Sequence, residues 1–313
     1  MISVLISTYN RADALPRTLE TFCAAQAPPG GWELILVDNR SSDHTQDVLR
    51  QFQQRLPLKA LYESKPGKAH ALRTGLQSVQ GDVVILSDDD VLVDPKLLCE
   101  YRCATDAMPK HDLFGGTVLP EWPSEPPDWA LVNFTILCSC FAVTLSGLRT
   151  GPVECSRLIG PNFAIRTSLY REWIDRIDLG IGPNGTNNYP MGSESVVLRT
   201  LEKAGHKAYF IEEAVVRHVI RPEQLDQNWV LSRAFRAGRG GYHMGLLDTP
   251  HPPILFGVPR FALRQTAEQA VRLLRAILTG NSQRIFFERW KLNYYRGILA
   301  EARSAAQSRS RTQ

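Results

Sequence analysis

The chain has 313 residues, 43% of them hydrophobic and 22% charged, with a net charge of +4. That length fits one large domain or two small ones, and the composition supports a sizeable core, which excludes a low-complexity or disordered chain. The longest apolar stretch, Leu131 to Leu145, is shorter and more polar than a membrane span requires, and the six cysteines show no zinc-like spacing. Met1 leads straight into an apolar run with no basic leader, so a cytoplasmic protein with reduced thiols is the expectation.

Taken in order, Ile2 to Ser7 reads as a strand, followed by the polar turn Thr8-Tyr9-Asn10-Arg11. Asp13 is placed to cap a helix running to about Ala25, with Leu15, Leu19 and Phe22 facing inward. Leu34 to Val37 is a second strand, ending in the polar run Asp38 to Asp43, and a helix follows from Thr45 to about Arg55. Leu58 to Tyr62 is a third strand, and Gly67 opens a helix to about Val79. Val83 to Leu86 is an unbroken apolar run, as in a strand buried on both faces, and it runs directly into Asp88, Asp89 and Asp90. Four strands alternating with three helices predict a parallel sheet built from right-handed crossovers.

Each of these strands carries a polar cluster at its carboxyl end, where open α/β sheets bind ligands. Three adjacent carboxylates repel one another unless something positive sits among them. A divalent cation shared with phosphate oxygens is the usual solution, and a solvated acidic turn is the plain alternative.

Pro95 to about Met108 is expected to be helical, and Leu113 to Val118 to be a strand. The loop Glu121 to Trp129 offers Trp122 and Trp129, either as rings for a sugar face or as core anchors. Gly180 to Gly192 is too rich in glycine and asparagine for a helix or strand and reads as a loop beside the site. Ser193-Glu194-Ser195 then precedes an amphipathic helix from Val197 to Ala204, closed by Gly205. Strands at Tyr209–Ile211 and Ala214–Val216 lead to His218.

From Pro222 onward the pattern is helical and basic. Residues 217–313 carry 16 Lys and Arg against 6 Asp and Glu. An apolar stripe of Leu263, Ala267, Val271, Leu274 and Leu278 is expected on a helix from about Pro259 to Leu278. A last helix, about Gln283 to Ala302, carries Phe286, Phe287, Trp290, Tyr294 and Tyr295 among basic residues. That mixture suits an anionic membrane surface, and it equally suits packing onto the preceding domain. Residues 304–313 are expected to be disordered.

The ordered set Ser7-Thr8-Tyr9-Asn10-Arg11, Val37 to Asp43, Gly67-Lys68-Ala69-His70-Ala71-Leu72 and Leu86 to Asp90 resembles the family 2 glycosyltransferases of GT-A fold. The resemblance implies an α/β domain with a mixed, mostly parallel sheet over residues 1–220. Its donor half would cover about 1–95 and its acceptor half about 96–220, with a helical extension over 221–303. It implies a nucleotide-diphosphate sugar as donor, with UDP ranked ahead of GDP and dTDP. Thr8, Tyr9, Arg11, Asp38, Lys68, Asp88 and Asp89 would stand on the donor side. Mn2+ or Mg2+ would be held by Asp88 and Asp90, with His218 where relatives often place a metal-binding histidine. Leu72 stands where many relatives carry an arginine, and Lys68 or Arg73 is available in its place. Leu158 to Arg166 resembles the segment under the donor sugar.

Relatives usually have Gly-Glu-Asp before the helix that Gly205 closes. Counting back from that glycine sets Glu194 on the catalytic-base position; the other register puts Ser195 there, and a third reading makes Glu194 a helix cap. The function implied is inverting transfer of a sugar to an acceptor hydroxyl on a glycan or lipid-linked acceptor, in polysaccharide, glycolipid or other glycoconjugate biosynthesis. No nucleic-acid partner is expected, and a peripheral site at the inner face of a membrane is. Two other functions stay open at this point: a nucleotide-sugar-binding module without turnover, and a sugar nucleotidyltransferase. The second lacks its glycine-rich phosphate loop.

Overall fold

A computed structural model describes residues 1–131, 133–144, 146–175, 181–184, 186, 188–250 and 252–311, with side chains as far as residue 307. The expected loop at 180–192 therefore falls partly outside the described residues, as does His251 of the segment His251-Pro252-Pro253, which the sequence marks as a linker.

The amino-terminal half alternates as its pattern requires: β1 (Ile2–Thr8), α1 (Leu15–Cys23), β2 (Trp32–Asp38), α2 (Thr45–Phe52), β3 (Leu58–Tyr62), α3 (Lys68–Leu76) and β4 (Val83–Ser87). Asp13 does not cap α1. Ala14 holds that position without a side-chain bond, and Pro16 in the first turn, where a missing N–H matters least, marks the start.

The chain continues through β5 (Val91–Val93), α4 (Leu97–Ala107), β6 (Leu113–Glu121), α5 (Asp128–Leu131), α6 (Phe134–Phe141), β7 (Gly151–Val153), β8 (Phe163–Arg166), α7 (Thr167–Trp173), α8 (Ser193–Lys203) and β9 (Ala208–Val219). It ends in α9 (Gln227–Asp248), a hairpin of β10 (Ile254–Leu255) and β11 (Val258–Pro259), α10 (Arg260–Thr279) and α11 (Ser282–Arg311).

The main sheet runs β3-β2-β1-β4-β8-β6-β9-β5, with β7 beside β9. Its first four strands are parallel, β8 is antiparallel to both β4 and β6, and β6 and β9 are parallel. Register aligns Thr8 with Asp38 and Asp38 with Tyr62, so the polar strand ends share one rim. The two strands expected at 209–211 and 214–216 are one. β9 slips register opposite Gly116 and Thr117, where the Thr117 hydroxyl donates to the Glu212 carbonyl, and a side chain at Gly116 would collide with the Ala214 carbonyl.

Apolar side chains cover both faces of the sheet. A third cluster joins Ala130, Ile136, Cys140 and Phe141 to Ile220, Val230, Ala234, Phe286 and Trp290. Trp122 meets Phe141 edge-on at 5.0 Å, and Trp129 lies 4.8 Å from Phe286, so both tryptophans anchor this cluster. The extension after residue 220 thus shares a core with the sheet domain.

In that extension, packing is the one of the two uses open to the aromatic helix that is observed, the facing of the α10 stripe becomes visible, and the expectation of a disordered tail changes. The aromatic face of α11 is turned inward, with Phe286 and Trp290 buried. The apolar stripe of α10 divides: Leu263 packs against the cluster of Tyr242, Val258 and Ile298, whereas Val271, Leu274 and Leu278 are exposed, with Ala262, Gln269 and Ala276 on the buried side. Residues 304–311 continue α11; the segment from Glu301 is rich in good helix formers without Pro or Gly, and extending an existing helix needs no new nucleus. Among the described residues no helix is long and apolar enough to cross a membrane.

Candidate active site

The rim is fastened by side chains that reach from one strand end to the next. Asn39, next to Asp38, donates to the Glu63 and Lys65 carbonyls and accepts from the Gly67 N–H at 2.6 Å. Asp43 accepts from Ala12 N–H, Thr45 N–H and the Thr45 hydroxyl, which ties the second turn to the first. Asp38 is buried, and its two oxygens accept from Ser41 N–H and the Gln46 amide, both at 2.9 Å. Thr8 is buried at the end of β1, whereas the Tyr9 ring stands 56% exposed beside it. Gly67 has φ +130°, and its approach to the Pro183 carbonyl leaves little room for a side chain. Lys68 N–H bonds that same carbonyl at 3.0 Å, which holds residue 183 over the start of α3.

Within this frame the acids fall into two groups. Arg11 donates from Nε to Asp89 and from Nη2 to Asp90, each at 3.2 Å. Burial, aided by its acidic neighbours, pushes Asp89 above the usual carboxylate range despite Arg11. Burial would raise Asp90 too, but the hydrogen bond and charge of His218, with Arg11 behind them, hold it below that range. His218 Nε2 lies 3.5 Å from Asp90 Oδ1, and its Nδ1 lies 2.8 Å from the Phe141 carbonyl. A carbonyl only accepts, so Nδ1 carries a proton and Nε2 is the atom turned to Asp90.

Asp88 belongs to the second group. Lys68 Nζ lies 2.6 Å from Asp88 Oδ1 and 2.7 Å from Glu194 Oε1, so one ammonium bridges the end of β4 and the first turn of α8. The Ser193 hydroxyl donates to the other Glu194 oxygen at 2.8 Å. Burial alone would raise Glu194, but Lys68, helped by Ser193, holds it at about 2. Glu194 also packs on Gly160, where an added Cβ would lie 3.3 Å from its side chain, and the Ser87 hydroxyl donates to the neighbouring Pro161 carbonyl. Leu72, Phe163, Tyr170, Ile181 and Val197 line a small apolar pocket beside Lys68 and Glu194.

Most residues singled out from the sequence therefore gather on one rim: Thr8, Tyr9, Arg11, Asp38, Lys68, Asp88, Asp89, Asp90, Glu194 and His218. Arg73 leaves it. Its guanidinium bonds the Ile174 carbonyl and pairs with Asp175, so of Lys68 and Arg73 it is Lys68 that faces the acids. Sequence reasoning passed over Asn39 and Asp43. Their signal was available as polar residues directly after a buried strand, but their partners lie on other turns.

Among the described residues no group of three His, Cys, Asp or Glu converges as a ready-made metal site. Asp90 and His218 do form a converging oxygen and nitrogen pair, with the imidazole oriented from behind by a carbonyl. A cation held by two protein donors takes its remaining ligands from phosphate oxygens and water, so this pair fits a metal bound together with a diphosphate.

A mixed sheet with an acid-bearing rim and a carboxylate on the facing helix defines the nucleotide-sugar transferases of GT-A fold. The model of the family described as "Glycosyl transferase family 2" matches residues 3–124. Glycosyltransferase AglE of Haloferax volcanii is 30% identical over 249 residues, covering 79% of this chain and 75% of that protein. The glucosyl-dolichyl phosphate glucuronosyltransferase of the same organism is 24% identical over 256 residues, covering 80% and 78%. Among solved structures, the mannosyltransferase PcManGT from Pyrobaculum calidifontis, in complex with GDP-Man and Mn2+, superposes with a TM-score of 0.54 at 18% identity, over 99% of this chain and 78% of that one. The chain belongs to glycosyl transferase family 2 and is a glycosyltransferase.

Proposed function

We propose that the protein transfers a sugar, with inversion, from a nucleotide-diphosphate donor to a hydroxyl of a lipid-linked or glycan acceptor presented at a membrane. The observation that carries this reading is the bridge of Lys68 between Asp88 and Glu194, 20 and 126 residues from it in sequence. It sets a donor-side acid and a candidate base on either side of one cation.

Tyr9 offers an exposed ring for the nucleobase, and the turn that Asp38 fixes borders the nucleoside. Arg11 and Lys68 supply positive charge where the diphosphate lies. Asp90 and His218 would hold a divalent cation, with Asp88 beside it; when bound, that cation offsets negative charge on the leaving diphosphate. Glu194 is ionised at any working pH. When Lys68 turns toward the incoming diphosphate, Glu194 loses its counter-charge in a partly apolar pocket and becomes the stronger base. It then takes the proton of the acceptor hydroxyl as that oxygen attacks the anomeric carbon from the face opposite the diphosphate. The dolichyl-phosphate relative supports a lipid-linked acceptor, and the Mn2+ in the mannosyltransferase structure supports the metal.

The test is release of nucleoside diphosphate from UDP-, GDP- and dTDP-sugars with Mn2+ or Mg2+, with and without polyprenyl-phosphate-linked acceptors. Glu194→Gln is expected to abolish release while donor binding, read by calorimetry, persists. Full activity in Glu194→Gln overturns the assignment of the base, and donor binding without any release in the unmodified protein leaves a binding module.

A further inference from the structure

Helices in globular proteins bury their large apolar residues, but α10, in its second half, exposes most of its own. Its packed side consists of Ala262, Gln269 and Ala276, with the Gln269 amide bonded to the buried Glu288 of α11. Val271, Leu274 and Leu278 lie on the opposite side, and Leu278 is 86% exposed. Steps of three and four residues keep Ala267, Val271, Leu274 and Leu278 on one continuous stripe. Arg260, Arg264, Arg272 and Arg275 are exposed on the same helix, where Glu268 is the one acid.

The hairpin before α10 gives an independent second observation. Its two-residue turn is Phe256-Gly257, both with positive φ, at 51° and 75°. Such turns favour asparagine or aspartate before the glycine, and a bulky residue there is an outlier. Here the position holds the most exposed large hydrophobic residue among those described, Phe256 at 87%, flanked by the exposed Ile254 and Leu255. Among the described residues, eight of the twelve exposed large hydrophobics lie between residues 254 and 278.

We infer that the β10–β11 hairpin and the outer face of α10 form a surface that docks on an anionic lipid bilayer, with Phe256, Val271, Leu274 and Leu278 entering the interface and the arginines meeting the headgroups. The alternative cover, a second copy of the chain in a two-fold contact, would set this arginine-rich face against itself, like charge on like. An anionic bilayer supplies both the apolar layer and the opposite charge. The inference rests on the membrane-borne acceptor proposed above and names the surface involved. It also moves membrane contact away from Phe286 and Trp290, which are buried.

The experiment is co-sedimentation of the full chain with phosphatidylcholine vesicles, with and without phosphatidylglycerol, at low and high salt, in the absence of donor and acceptor. The unmodified protein is expected to pellet with the anionic vesicles and to be released by salt. The triple variant Phe256→Asn, Leu274→Ser, Leu278→Ser is expected to lose at least about tenfold in vesicle affinity with an unchanged thermal melt, because only exposed groups are altered. Arg272→Gln with Arg275→Gln is expected to lower affinity for the anionic vesicles alone. Absence of pelleting, equal pelleting of the triple variant, or a solution dimer that the triple variant splits would each overturn the inference. Because nothing is transferred in this assay, its failure leaves the transferase reading standing, and a chain that docks but transfers nothing would refute only that reading.

Discussion

Lys68 holds two carboxylates at once, and that sets the pH behaviour expected of the site. In the free enzyme Glu194 stays ionised down to about 2 because Lys68 and Ser193 outweigh its burial. Lys68→Met removes the main counterweight to burial and leaves only the weaker hydrogen bonds of Ser193 and the backbone, so Glu194 should then titrate above the ordinary carboxylate value of about 4.3. The acid limb of the kcat/KM profile is therefore expected to move to higher pH, with weaker donor binding, as a series of initial-rate profiles would show. The rim makes a second prediction. Asp90→Ala should abolish Mn2+-dependent donor binding, since Asp90 is the acid paired with His218. Asp89→Asn should instead weaken donor binding with and without metal alike, because its partner is Arg11, and titrations with and without Mn2+ separate the two. At this scale the acids were legible in the sequence, since a buried strand has no reason of its own to end in three aspartates. Asn39 and Asp43 were not, because each matters through bonds to turns about 25 to 30 residues away.

The elements with the clearest periodicity were read almost to their ends, and the misreadings share one cause. A periodic stripe tells that a helix has an apolar side but not what faces it. On α11 the stripe meets the third core cluster; on α10 Leu263 packs at the start of the helix, while Val271, Leu274 and Leu278 stay exposed. The glycines where α9 crosses α11 show the same limit. Gly238 and Gly297 let α9 and α11 cross in contact: an added Cβ at Gly238 would lie 1.8 Å from the Tyr294 carbonyl oxygen, and one at Gly297 2.0 Å from that of Phe235. A glycine inside a helix reads in the sequence as a weak point, whereas its use here appears only when the partner is in place. Gly238→Ala should gain helix propensity and still destabilise the protein by about 3 kcal/mol, because backbone cannot yield as a side-chain tip can. A chemical melt of the single variant checks the sign as well as the size.

For the whole molecule the question is whether residues 1–220 form a unit that stands alone. The order of strands and helices suggests so, because the sheet closes with β9. The packing says otherwise. Phe141 and Ile136 belong to a cluster completed by Val230, Ala234, Phe286 and Trp290, all from the helices after the sheet. The approach to α8, which carries Glu194, also leans on those helices: Met191 N–H bonds the Arg236 carbonyl at 3.0 Å, Arg236 lies over the Tyr189 ring at 5.1 Å, and Arg239 donates to the Asn188 carbonyl. Removing α9 to α11 would uncover the third cluster and release the segment that leads into Glu194. A chain cut after Asp226 is therefore expected to bind an apolar dye and aggregate, while the full chain melts in one cooperative transition. A soluble fragment with its own sharp melt would show that the third cluster is an accessory interface. Such a fragment would still be expected to bind donor yet release almost no nucleoside diphosphate, since the turns proposed to bind donor follow the first four strands and the position of Glu194 depends on α9.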